Sequence, residues 1–182
     1  KGFGVDHLRN GKVAAGAILE YLAETLHNNI SHITSIRMIT EERYVRLYKF
    51  TVRNLELISA NSEDGTSLLD VIDHTCSPMG ARMLRRWMLF TLKDVKRITD
   101  RQEVVEYFFR KPDFRDSIDV YMRQVGDLER ISSKIAVNRA TPRDMAQLKN
   151  ALNAIEPMKE LCFNSESASL RAIGEKLDAC LE

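Results

Sequence analysis

The densest group of chemically capable side chains in this sequence is Arg82, Arg85 and Arg86. Their i, i+3, i+4 spacing puts all three on one face of a helix. A guanidinium offers a planar fork of donors that pairs bidentately with phosphate or carboxylate. The triplet therefore suits contact with a DNA backbone, or ion pairing inside the protein to acids such as Asp70, Asp73 or Glu103. Asp70 and Asp73 present two carboxylates at i and i+3, with His74 adjacent. Acid–base work by such a pair needs a pocket that drives their pKa values apart. None is visible, so a solvated helix end is expected. His7, His27, His32 and His74 are scattered, with nothing to converge them on a metal. Cys76, Cys162 and Cys180 are far apart and form no CxxC, which reads as free thiols. No GxxxxGK[ST] phosphate loop, HExxH zinc pair or GxSxG nucleophile elbow occurs. No catalytic, cofactor-binding or metal-binding residue is assigned. The lone tryptophan, Trp87, is capable of stacking on a base. It shares a helical face with Leu84 and Met88, however, and that predicts a core position. Phe108 and Phe109 likewise read as packing.

The elements that must position these groups are mostly helices. Only 8 Gly and 4 Pro interrupt 182 residues, and 44% of the chain is apolar, enough to bury a core. No apolar run approaches the length of a transmembrane span. The N-terminus has neither an initiator Met nor a signal-peptide block, which suggests a fragment. The overall charge of +1 is uneven: residues 82–143 carry a net +6, between −2 before them and −3 after. A basic middle suits a polyanion, or the solvated face of several helices.

Residues 1–12 are Gly-rich and read as a linker. From about Val13 a helix follows, with Ala14, Ile18, Tyr21 and Thr25 on one face. Ile36 and Met38, then Val45 and Leu47, alternate with other residues around the polar stretch 40–43, which predicts a small β-hairpin near residues 35–50. Thr66 or Ser67 starts a short helix through Leu68, Leu69 and Ile72. Ser77 caps the helix that Pro78 opens. Apolar stripes continue through Val95, Ile98, Gln102, Val105 and Phe109, then Phe114, Ile118, Tyr121 and Val125, then Leu128, Ile131 and Ile135. Gly126 suits a left-handed helix C-cap and Asp127 the next N-cap. Thr141-Pro142-Arg143-Asp144 opens a helix with Met145, Leu148, Leu152 and Ile155 inward, which Pro157 should kink or end. Leu170, Ile173 and Leu177 mark a last helix.

Several blocks together resemble the core domain of the MutS family of mismatch-repair proteins: residues 51–57 (TVRNLEL), 67–73 (SLLDVID), 78–87 (PMGARMLRRW), 123–130 (RQVGDLER) and 139–144 (RATPRD). Phe3-Gly4-Val5 and Ala14-Ala15-Gly16 are similar to the end of that family's connector domain and the helix leading into the core. The resemblance covers nearly the whole chain, most weakly after Cys162. It implies a mainly α fold, a multi-helix core of long packed antiparallel helices. Residues 1–12 would end the connector. Residues 13–182 would form the first half of the core, or lever, stopping before the inserted clamp. The family's mismatch-reading Phe-x-Glu and its ATPase motifs have no match here. The implied role is coupling of DNA-gripping clamps to an ATPase, without catalytic activity in this segment. ATP and Mg²⁺ belong to the implied parent. DNA through other domains, a second MutS copy and MutL are its implied partners, in a bacterial cytoplasm associated with the nucleoid. The residues alone also allow a self-standing helical DNA-binding module using the basic stretch 82–143, or a helical protein-interaction scaffold.

Overall fold

The computed structural model describes residues 9–25, 33, 35 and 44–180. Helices account for most of them: α1 (Arg9–Thr25), α2 (Lys49–Asn54), α3 (Leu68–Ile72), α4 (Pro78–Leu89), α5 (Val95–Arg110), α6 (Pro112–Val125), α7 (Leu128–Ala136), α8 (Pro142–Phe163) and α9 (Ala168–Gly174).

Local chemistry sets the helix starts. Ser67, Ser77, Asp94, Asp127, Thr141 and Ser167 each accept a backbone N–H from the first turn of the helix they precede. This satisfies donors that have no partner within the helix. At α3 and α8 the cap is reciprocal, with Asp70 and Asp144 reaching back to the N-cap backbone. The expected starts at Ser77, Asp127 and Thr141 are therefore found where the sequence put them.

The core lies along α8. Val125, Ala151, Ala154 and Met158 form its buried centre, with Met79, Ile118, Tyr121, Met122, Leu128 and Leu177 packed around them. Lys111, just before α6, meets Glu166, just after α8, at 3.7 Å. At the opposite end, Gly126 after α6 lies against Gln147 near the start of α8. Helices α6 and α8 thus run in opposite directions. The small side chains of Ala151 and Ala154 let α6 approach closely. Gly174 does the same for α9, since a Cβ there would sit 2.9 Å from Cys162 Cβ. Phe114 stacks on Phe108 and meets Tyr107 edge-on, which closes the α5–α6 corner.

Three expectations are corrected here. The β-hairpin is not supported. Its first arm and turn, residues 36–43, lie outside the described residues. Its second arm does not pair as a strand: Tyr44 makes an isolated bridge with Leu92, and Val45 N donates to Thr91 O at 2.8 Å. By Lys49 the chain is already helical. The alternation at Val45 and Leu47 reflects an extended tether laid along the end of α4, with Tyr44 packed edge-on against Phe90. The inward stripe of α5 is also displaced. Val105 and Phe109 are exposed, Phe109 by 85%. Ile98, Arg101, Val104, Tyr107 and Phe108 take the sheltered side instead. One residue of offset turns a helix by about 100°, and here the aromatic corner with Phe114 decides the rotation. In the same way Met145 is exposed, while Asp144 beside it is buried in its capping box.

The third concerns Pro157, read as kinking or ending its helix: of the two, the end is excluded, because α8 runs on to Phe163. Proline removes the hydrogen bond that the Asn153 carbonyl would receive. Asn153 is exposed, and a carbonyl without its helical partner is tolerated where solvent can reach the helix surface. Pro157→Ala restores the bond and should raise the melting temperature, by up to the equivalent of about 3 kcal/mol, the propensity gap between the two residues. Thermal melts followed by circular dichroism check this.

Candidate functional site

The arginines of α4 divide into two groups. Arg82 is held by two acids at the α6–α7 junction. Its Nη1 and Nη2 donate to Asp127 Oδ2 and Oδ1 at 3.0 and 2.7 Å. Its Nε and Nη2 donate to Glu129 Oε2 at 2.9 and 2.6 Å. This is a double fork, the geometry in which a guanidinium binds best. Its hydrogen bonds raise the Arg82 pKa further, and the Arg82 bonds hold Asp127 below the usual carboxylate range. The in-chain candidates Asp70, Asp73 and Glu103 are not its partners. Arg85 and Arg86 are exposed, and among the described residues neither makes an ion pair.

Trp87 does not enter the core. It is 42% exposed, and the Arg101 guanidinium of α5 lies 3.6 Å from its ring centroid. That distance is a close cation–π stack. Burial lowers the Arg101 pKa, and the nearby charge of Arg97 adds to the effect. Sequence periodicity could not show this stack, because it joins positions fourteen residues apart on different helices.

The remaining acids serve the scaffold. Asp70 accepts from Ser67 N and Oγ, and Asp73 from Thr75 N and Oγ1. Each is drawn below the ordinary carboxylate range by these bonds, and each is engaged with its own local partner. Glu103 accepts from Ser167 Oγ and Ser169 Oγ, both at 2.8 Å, and thereby pins α5 to the start of α9. No local spacing announced that bond. The thiols of Cys76, Cys162 and Cys180 are free, with Cys162 buried. No group of three or more metal-ligating side chains converges among the described residues.

A polar cleft of about 330 Å³ opens between α7 and the start of α8, lined in part by Asp127, Arg130, Lys134, Asp144 and Gln147. Its carboxylates are already engaged. Asp127 holds Arg82, and Asp144 accepts Lys134 Nζ at 2.6 Å while completing the Thr141 cap. The Lys134 bond, then those from Thr141, hold Asp144 far below its ordinary value of 3.8. Because the folded-state pKa is depressed, this stabilisation is complete above the unfolded value and is lost as pH falls through the folded one. Asp144→Asn should therefore lower the melting temperature at pH 7 and flatten its decline below about pH 4. Melts across pH 2–7 are the measurement.

The site is thus a set of interhelical polar ties beside the exposed Arg85 and Arg86. Residues 50–182 match the family described as MutS domain III. The chain is 61% identical over 181 residues to the DNA mismatch repair protein MutS of Phocaeicola vulgatus, 62% over 180 to that of Parabacteroides distasonis and 59% over 181 to that of Bacteroides thetaiotaomicron. These matches cover 99–100% of this chain but 21% of each relative, so the chain spans about a fifth of their length. On that evidence the chain belongs to the MutS family, and residues 50–182 are its domain III.

Proposed function

We propose that this domain is the mechanical core of a mismatch-recognition protein: it couples DNA-gripping parts to an ATPase and has no catalytic activity of its own. The observation that carries this reading is α8. It runs through Pro157 over 22 residues, about 33 Å. Buried residues line it from Asp144 to Cys162, against α6, α7 and α9. A close-packed rod has few soft deformations and passes displacement from one end to the other. The Arg82 fork ties α4 to the α6–α7 junction, and Glu103 ties α5 to α9, so the elements around α8 move with it.

The partners of such a protein are mismatched DNA bound through other domains, a second MutS copy, and MutL. ATP and Mg²⁺ belong to the ATPase of the parent. This chain contains no phosphate-loop sequence of its own.

The reading is tested by adding this chain to matched and mismatched duplexes and to ATP. It predicts equal affinity for both duplexes and no ATP turnover. A preference for the mismatch would mean that this segment itself reads DNA, and the coupling role would fall.

A further inference from the structure

Residues 44–48 form an extended strap that leads into α2. Upstream of it, α1 buries none of its residues. The described contacts that fasten the chain after α1 to α4 and α5 begin at Tyr44. Its ring meets Phe90 edge-on, with centroids 5.7 Å apart. Tyr44 also bridges the buried Leu92, and Val45 N donates to Thr91 O at 2.8 Å. The strap is thus seated on residues 90–92, in the short link between α4 and α5. Phe90, the C-cap of α4, stands three residues after Trp87, so the two rings occupy one side of the helix end. Trp87 in turn carries Arg101 of α5. Strap and α5 therefore grip neighbouring rings at one end of α4. The hold on the strap is slight. Val45, Arg46 and Tyr48 are exposed. Among the described residues a single backbone hydrogen bond, from Val45, crosses from strap to link. A segment held by so few contacts opens at a small fraction of the cost of global unfolding.

We propose that residues 44–48 are a latch that opens and closes on the α4–α5 link, and that displacement of the chain on the α1 side enters the helical body through it. The proposal rests on the coupling role and names where motion enters the core. Closed, the latch moves the link together with the chain before it. From the link the route onward is fixed by bonds already described. Arg101 ties α5 to α4, Glu103 two residues later ties α5 to Ser167 and Ser169, and α9 packs on α8. Open, the latch frees the α1 side from that route. A two-position element of this kind is what a coupling path needs at its entry.

The test uses a full-length MutS protein that carries this segment, with hydrogen exchange read at the Val45 amide. Exchange there should differ between matched and mismatched duplex in the presence of ATP, while the buried run 151–158 of α8 stays unchanged. Tyr44→Ala should speed Val45 exchange about fivefold without DNA, the equilibrium worth of one edge-on ring pair. It should also at least halve the change in ATP turnover caused by mismatched DNA. Tyr48→Ala is the control. That ring stacks on Arg46 of the same strap, and its loss should leave both readouts near those of the parent. Val45 exchange that is equal with both duplexes would overturn the latch, and this comparison needs no substitution. So would a Tyr44→Ala variant with unchanged exchange. Softening α8 by Asn150→Gly with Asn153→Gly separates the two readings. If that pair lowers the mismatch response and Tyr44→Ala does not, the latch is overturned and the coupling role stands. If neither lowers it, the coupling role falls and the latch falls with it.

Discussion

Gly126→Ala is expected to destabilise the domain by about 1–3 kcal/mol, the usual cost of forcing a side chain into a backbone region reserved for glycine. Gly126 has φ 65° and ψ −139° and closes α6 before Asp127 opens α7. The positive φ agrees with the sequence reading of a glycine cap. The ψ does not: a left-handed cap has ψ near +47°, whereas here the chain takes the mirror-image extended region. That region swings the backbone so that Asp127 meets both Arg82 and its own helix start. An added Cβ would also lie 2.6 Å from Gln147 Nε2. The glutamine amide is the end of a flexible side chain and can move aside, so backbone strain is the larger cost. A second substitution, Gln147→Ala, should therefore fail to rescue Gly126→Ala. For a chain of this size each kcal/mol lowers the melting temperature by roughly 2–4 °C. Gly126→Leu should do at least as much damage as Ala, and an unchanged melting temperature would reject the strained turn.

Ala151→Leu should be comparably severe. Ala151 is 0% exposed at the α6–α8 contact, with Val125, Ala154 and Met158 in the same cluster. Leucine brings three more carbons to a place without room for them. Overpacking of this kind costs about 1–3 kcal/mol and occasionally more, because α6 and α8 must separate or adopt poor rotamers. Ala146→Leu is the control. It lies on the same helix but faces solvent, and should shift stability by no more than about 0.5 kcal/mol. Denaturant unfolding of both variants gives the comparison directly. Equal effects would mean that α8 does not carry the core.

What the sequence made legible, and what it hid, divides along the range of the interaction. Helix starts were readable because a cap is made within three or four residues: Ser77 with Gly80, Asp127 with Arg130, Thr141 with Asp144. The inward face of α6 was readable because Phe114, Ile118, Tyr121 and Val125 repeat at helical spacing and nothing competes with them. The α5 face was misread because apolar residues occur all round that helix, so periodicity alone could not choose between Phe108 and Phe109. The packing of Phe114 made the choice. The extended run at Val45 and Leu47 looked like a hairpin arm because alternation marks extended backbone whatever it pairs with; its partner is Leu92.

The candidate site follows the same rule. That Arg82, Arg85 and Arg86 share a helix face was plain. That Arg82 would be taken by Asp127 and Glu129, more than forty residues away, was not. Asp127 had been legible only as an N-cap, and it performs both roles with one carboxylate. The Trp87–Arg101 stack had no local signal, since the Leu84/Met88 face pointed to burial. Glu103 has the charge to pair with an arginine and instead holds two serine hydroxyls. In each case the residue type was informative and the partner was set by tertiary packing.

The coupling role is tested most directly by softening α8 in a full-length MutS protein that carries this segment. Asn150 and Asn153 lie on its exposed face, so Asn150→Gly with Asn153→Gly weakens the rod without touching the core. Glycine in a helix interior costs roughly 1 kcal/mol relative to alanine and loosens the backbone locally. The quantity to measure is the change in ATP turnover caused by mismatched DNA. The coupling account predicts that DNA binding and basal turnover stay near those of the parent while the response to the mismatch falls. A full response through a softened α8 would contradict it.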